Sequence, residues 1–367
     1  MRGPAPGTSV ERLARVLQEF VDIPSVSLDE AALLARLDTE MPSNRFTLVD
    51  AEDGVRCFLP AVRRSGAPLF LLAGHADTVP VAGAALPSIR EGDVVRGRGA
   101  ADMKAGLAVM IALAQDSDPR MSDLDVGYVF FGREELPISQ SALLPLFERR
   151  PALQDASLAV LMEPTGNALE VGCLGNLNAT VTVRGRAAHS ACPWLGRNAI
   201  HLAMQALAPI SDLAVHDVDI DGLIFREAVS VTTIDGGVAA NIIPDQVCAR
   251  VNVRYAPGRT PESAESWLRA AITHPDAEIE IDGNAPPGPV VTANLLVPRL
   301  REAGSLPVRP KQAWTPVAEF AMAGIDAVNL GPGDPRYAHT DEEQIDLPSL
   351  VECYDIIRTF LRRPVEG

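Results

Sequence analysis

Hydrophobic positions along the chain switch between two periods. From Ser9 to Val21 the apolar residues Val10, Leu13, Val16, Leu17 and Phe20 recur every three or four places, which predicts a helix with Thr8 or Ser9 as its cap. Ile23-Pro24-Ser25 breaks that pattern; a second helix is expected over Asp29–Glu40, then short strands over Phe46–Val49 and Val55–Leu59. Pro68–Ala73 is an unbroken apolar run bounded by turn residues, so it reads as a buried strand that runs on into Gly74-His75-Ala76-Asp77-Thr78. A helix over Leu107–Ala114 and strands over Val126–Phe131 and Leu158–Leu161 follow. Each of the three apolar strands ends on residues that carry chemistry: His75, the pair Glu134-Glu135, and Glu163. In open α/β sheets sites assemble at the carboxyl ends of strands, so this coincidence is the first functional signal.

Near Gly175 the order of elements changes. Strands are expected over Asn178–Val183, Val229–Ile234, Gln246–Tyr255 and Ala277–Ile281, with helices over Asn198–Ala208 and Pro261–Ile272. That β-α-β-β-α-β order is long enough to fold separately and reads as an inserted, ferredoxin-like domain, with the Pro/Gly-rich 284–289 as the return crossing. The expected organisation is an α/β domain in two parts, 1–174 and 288–367, around an insert at 175–287. The second part contributes Ala327–Glu342, read as a strand followed by a glycine-proline loop carrying His339, and a closing helix over Leu347–Leu361.

Composition narrows the function. With 367 residues, 47% of them hydrophobic, two domains can each bury a core. A net charge of −16 opposes nucleic acid and anionic membrane surfaces as partners. The five cysteines are scattered without Cys-x-x-Cys spacing, which indicates neither a disulfide framework nor a thiolate zinc site. Met1–Val10 has no apolar signal region and no apolar run reaches membrane-spanning length, so a cytoplasmic protein is expected.

His75 and Asp77, two apart at a strand end, point the same way and can act as a metal ligand and its orienting carboxylate; a polar strand end is the plainer alternative. Asp102 follows Gly97-Arg98-Gly99-Ala100-Ala101 just before a helix, as either a ligand or an N-cap. Glu134 and Glu135 are costly at a sheet edge unless something positive receives them, though a solvated pair is also common. His339, by itself an ordinary loop histidine, completes a set: His75, Asp102, Glu135, Glu163 and His339 suit two zinc ions bridged by a carboxylate, with Glu134 free as a base. Such a pair implies amide hydrolysis.

The motifs GHADTVP, GRGAADMKAG, GREEL, MEPT, RGRAAHS, NIIPD, NVRY and GPGDPRYAHTDE, spread over the whole chain, resemble the dinuclear zinc metallopeptidase family of aminoacylases, acetylornithine deacetylase, glutamate-type carboxypeptidases and desuccinylases. The resemblance implies a zinc-peptidase-like α/β/α catalytic domain with an inserted lid and dimerisation domain, hence a homodimer. It implies that Asp102 bridges two zinc ions, replaceable by cobalt or manganese. His75 and Glu163 would hold one ion, Glu135 and His339 the other; Asp77 would orient His75 and Glu134 would be the general base. His189 resembles a histidine that steadies the oxyanion in a neighbouring subunit's site, and Asn241, Arg254, Thr315 and Gly331 resemble substrate-side positions. His189 as a turn cap and Arg254 as an exposed strand residue are the alternatives.

Within the family, GCLGNLNA, AAHSACPWLGRNAIH and the GPGDP and AHTDE ending resemble actinobacterial desuccinylases, which cleave N-succinyl-LL-2,6-diaminopimelate. One stretch departs. Trp314-Thr315-Pro316-Val317-Ala318-Glu319-Phe320 stands where Trp-Thr-Asp-Val-Ala-Arg-Phe is expected, which reverses a charge. Either the substrate differs there, as for a related deacylase or small-peptide hydrolase of specialised metabolism, or this stretch lies away from it. A metal-dependent phosphoesterase and a non-catalytic binding protein are the remaining readings.

Overall fold

The computed structural model describes residues 8–81, 87–116, 122–211, 213 and 215–362; the side chains of Thr8 and Ser9, where the first cap is expected, lie outside that set. The chain divides into two compact units, one of Met1–Val171, Val291–Arg309 and Glu319–Gly367, the other of Gly172–Val290 and Pro310–Ala318.

The first unit is built on an eight-stranded sheet. Its order is Phe46–Asp50, Val55–Pro60, Asp125–Phe131, Leu69–His75, Ala156–Leu161, Ala327–Asn329, Leu169–Cys173, Val308–Lys311. Leu69–His75 is parallel to both neighbours, and every residue in it and in Asp125–Phe131 is buried. Parallel strands covered on both faces read as unbroken apolar runs, the pattern seen in the sequence. His75 pairs with Phe131 and Ala73 with Leu161, so His75, Glu134, Glu135 and Glu163 all emerge at one edge of the sheet. The helix Lys104–Asp116 starts three residues before Leu107, the first residue of the expected helix, because Lys104, Ala105 and Gly106 are buried with it. A Cβ on Gly106 would meet the Met162 carbonyl oxygen at 2.4 Å, so only glycine lets the helix begin this close to the strand that leads to Glu163. Asp102 is thereby carried to the same edge.

The second unit is a five-stranded antiparallel sheet, in the order His216–Ile220, Leu223–Gly236, Gln246–Tyr255, Gly175–Arg184, Ala277–Ala285. With helices Ala199–Ser211 and Pro261–Ala271 it is the β-α-β-β-α-β arrangement plus one strand, His216–Ile220. That strand was not expected, yet Asp221-Gly222 between Val218, Ile220 and Leu223, Phe225 is a hairpin signal. Both turn residues have positive φ, 54° and 81°, as two-residue turns of this kind require. Leu177, Val181 and Val251 pack with Ala203, Leu207 and Leu268 to form the core. Thr260 caps the second helix by accepting from the Ser263 N–H at 3.2 Å, with Pro261 in its first turn. Among the described residues no helix is long and apolar enough to cross a membrane.

Candidate metal centre

At the carboxyl edge of the large sheet, His75 Nε2 lies 3.2 Å from Asp102 Oδ1 and 3.8 Å from Glu163 Oε1. His339 Nε2 lies 2.9 Å from Glu135 Oε1 and 3.3 Å from Asp102 Oδ2. Two sets result, His75/Asp102/Glu163 and Asp102/Glu135/His339, and within each the candidate ligand atoms lie within 4.8 Å of one another. They share Asp102, which turns one oxygen toward each histidine. Imidazole nitrogens and carboxylate oxygens in this number suit a pair of divalent ions bridged by one carboxylate.

The shell that holds this set was only partly legible. Asp77 Oδ1 accepts from the Glu134 N–H and Oδ2 from the Glu135 N–H, both at 3.1 Å, and Ser27 Oγ donates to Oδ2 at 2.8 Å. His75 Nδ1 lies 3.0 Å from the carbonyl oxygen of Asp77 and 3.5 Å from its carboxylate. The Asp77 side chain therefore anchors the Glu134-Glu135 turn more closely than it holds the imidazole. Glu343 Oε1 accepts from the N–H groups of Ala101 and Asp102, at 3.1 and 3.0 Å, while its Oε2 pairs with Arg98 at 2.8 Å. Glu30 Oε1 accepts from the Arg133 N–H at 3.2 Å. Ser27, Glu30 and Glu343 belong to no local motif; only the acidic run Asp341-Glu342-Glu343 after His339 could have drawn attention to the last. Arg133 and His339, flanking the site, both take left-handed backbone, φ 65° and 62°, which residues other than glycine rarely adopt.

The electrostatics follow from crowding. Burial alone would push the His75 imidazole down, but hydrogen bonds to Asp102 and Asp77 and the charges of Glu163 and Glu134 hold it well above its ordinary value. Burial would raise Asp102, and His339 and His75 outweigh it, so that carboxyl is held far below the usual range. Asp102 and Glu135 lift His339 to about 10. Glu134 goes the other way: burial, reinforced by the charges of Glu163, Glu135 and Asp102 against the opposing pull of His75, holds its carboxyl well above the ordinary value. A carboxyl with raised proton affinity beside candidate metal ligands has the character of a general base.

Residues 171–280 match the peptidase dimerisation domain of the M20 group. Over 342 residues the chain is 37% identical to a Mycobacterium tuberculosis protein provisionally named as the succinyl-diaminopimelate desuccinylase DapE, covering 93% of this chain and 96% of the relative. The chain belongs to the M20 metallopeptidase family. A Corynebacterium glutamicum succinyl-diaminopimelate desuccinylase is 34% identical over 363 residues, 94% of each chain. Among solved structures, an M20 family metallo-carboxypeptidase from Sulfolobus solfataricus matches with a TM-score of 0.76 at 18% identity, covering 95% of this chain and 98% of that one. A dinuclear metal binding M20 peptidase from Bacillus subtilis matches at 0.69 and 14% identity, covering 96% and 97%. Membership of the M20 family makes this chain an enzyme, a hydrolase of amide bonds.

The remaining candidate residues divide by unit. In the second, the exposed His189 and Asn241 come together: Ala188–His189 pairs with Ile242–Ile243, and the Ser190 N–H donates to the Asn241 carbonyl at 2.9 Å. His189 Nδ1 accepts from the Ala191 N–H at 3.0 Å, so its Nε2 carries the proton of the neutral ring and is a donor. Arg254 Nε donates to Asn252 Oδ1 at 3.0 Å, and the guanidinium has no carboxylate partner among the described residues. Thr315 is buried, with its carbonyl accepting from the Cys173 thiol. In the first unit, a Cβ on Gly331 would meet the carbonyl oxygens of Met162 and Glu163 at 2.3 and 2.4 Å, so this glycine lets the loop close against the Glu163 turn. Glu319, where the reversed charge left two readings open, is only 3% exposed and lies inside the first unit beside the Ser141 hydroxyl.

Proposed function

We propose that this M20 hydrolase is a two-zinc desuccinylase that splits N-succinyl-LL-2,6-diaminopimelate into succinate and LL-2,6-diaminopimelate. The observation that carries the chemistry is the Asp102 carboxylate, one oxygen toward His75 and the other toward His339. His75, Asp102 and Glu163 would hold one ion and Asp102, Glu135 and His339 the other, with cobalt or manganese as substitutes. When bound, the pair polarises the scissile carbonyl and makes an attacking water more acidic. Glu134, fixed at its N–H by Asp77, takes that water's proton and delivers it to the leaving amine. Asp77 keeps the Glu134-Glu135 turn and the His75 ring in register with each other. His189, with an Nε2–H to give, is assigned the oxyanion, and Asn241 and Arg254 the polar groups of the substrate, Arg254 through a two-pronged grip on a carboxylate.

The substrate assignment is supported by relatives matched over nearly their whole length. The buried position of Glu319 supports it too, because that side chain is turned into the first unit. Pro316 is what keeps a second reading alive, a related deacylase or small-peptide hydrolase with another substrate. A homodimer is supported by the dimerisation-domain match and by the exposed apolar side chains Trp194, Met204, Ile234 and Val238 in the second unit; sedimentation at two concentrations tests it. The same reading puts the enzyme in the cytoplasm. The deciding assay measures metal content and compares turnover of the succinylated substrate with N-acetylornithine and simple dipeptides. Two metals with succinate release is the expected result; two metals with turnover only of the other substrates would leave the second reading standing.

A further inference from the structure

At the opposite end of the large sheet is a cavity of about 320 Å³ that the hydrolytic chemistry does not use. It lies by Asp125, the first residue of the strand whose last residue, Phe131, pairs with His75. Six residues of strand put it roughly 20 Å from the metal ligands, so an occupant cannot touch them. Apolar side chains, among them Phe46, Pro60, Leu113, Val126 and Leu361, make most of its wall, and the volume falls in the range of small-molecule sites.

Its charge runs against that of the protein. Four arginines, Arg45, Arg64, Arg358 and Arg362, line it against two aspartates, in a chain whose net charge is −16. Both aspartates are already engaged. Asp116 accepts from Arg12 at 2.9 and 2.6 Å and from the Tyr354 hydroxyl at 2.6 Å. Asp125 accepts from Arg63 and Arg64, each at 2.9 Å. Arg45 Nη1 donates to the carbonyls of Ala114 and Gln115. Arg358 differs: its guanidinium lies 5.8 Å from the centroid of the Tyr354 ring, and its buried Nε–H has no acceptor among the described residues. Arg64 likewise keeps one buried terminal nitrogen without an acceptor. The cavity wall therefore carries four guanidinium groups and two carboxylates that are already paired, a local positive balance that favours a bound anion.

We propose that this cavity is a second, non-catalytic binding site for a small carboxylate on an apolar body. The hydrocarbon or aromatic part fills the wall of Phe46, Leu113, Val126 and Leu361, and the carboxylate meets Arg358 with Arg64 beside it. The proposal is independent of which amide the enzyme cleaves. Isothermal titration of the zinc-loaded protein with 4-phenylbutyrate tests it, with 4-phenylbutylamine and 4-phenylbutanol as controls. The carboxylate should bind, both controls should bind at least roughly tenfold more weakly, and Arg358→Gln should weaken the carboxylate by a similar factor while Arg358→Lys restores part of it. Binding should persist after zinc is removed with a chelator, and Arg358→Gln should leave turnover and melting temperature as they were. No binding, equal binding of acid and amine, binding that disappears with the zinc, or indifference to Arg358→Gln in a folded variant would each overturn the proposal.

Discussion

At the strand ends Asp102, Glu135 and Glu163 gather around two imidazoles, whereas Glu319 of the same unit, on the helix Val317–Met322, is buried alone beside the hydroxyl of Ser141. Both arrangements take carboxyl groups out of water, which is costly for the charged form. Among the gathered acids Asp102 keeps its charge because the histidines answer it, and its carboxyl is held far below its ordinary value. The solitary one answers by keeping its proton: burial pushes Glu319 up to about 7, with Ser141 opposing only in part. Convergence, and not burial, is what marks a carboxylate as part of a cation site.

The gathered set itself has a deep half and a shallow half. His75 is 1% exposed at the end of a central strand, while the His339 side chain is 51% exposed on a loop. The comparison breaks first at the residue both halves share. Asp102→Ala should take metal content from two ions per chain to below one and lower turnover by about a thousandfold or more, since both ions lose a ligand; a variant that keeps two ions would remove Asp102 from the centre.

A smaller effect separates the halves. His339→Ala should leave one firmly held ion, whereas His75→Ala should leave none, as read by metal analysis after dialysis. The shallow half should also be the pH-sensitive one. His339, raised to about 10 in the metal-free chain, must lose its proton to become a ligand. Uptake of the second ion should therefore release a proton at pH 7, and its affinity should rise with pH up to about 10. In the metal-free protein the sign is reversed. The stability drawn from the His339 pairs with Asp102 and Glu135 is complete below about 6.5 and is lost as pH rises through 10.

The difference between the two kinds of buried acid was half visible in the sequence. Periodicity locates Leu69–His75, Asp125–Phe131 and Ala156–Leu161 because parallel strands are apolar throughout, and the residues that follow them are necessarily neighbours at one edge. His339 is reached only through the family resemblance and the pattern of the ligand set. Ser27, Glu30 and Glu343 stay hidden because their partners, the Asp77 carboxylate for Ser27 and backbone N–H groups for the two glutamates, lie 50 to 242 residues away, too far for any local pattern to show. Glu319 shows the limit most clearly. The sequence registers a reversed charge in a known motif, but whether a glutamate faces substrate or the core depends on the register of one short helix, and a six-residue helix has too few turns for its buried stripe to be read.

The smallest effect tests that solitary acid directly. Between about pH 4.5 and 7 the unfolded chain gives up the Glu319 proton while the folded chain keeps it, so stability falls as pH rises through this window and the loss is complete above it. Glu319→Gln keeps the shape and abolishes the titration. The variant should match the parent near pH 4 and exceed it at pH 8 by on the order of 3 kcal/mol in urea unfolding, both proteins carrying the same metal load. Its kcat/KM should not move for any substrate. A stability difference that is the same at both pH values would mean that Glu319 is ionised in the fold, and a changed kcat/KM would return it to the substrate side, where the comparison with the gathered acids would no longer hold.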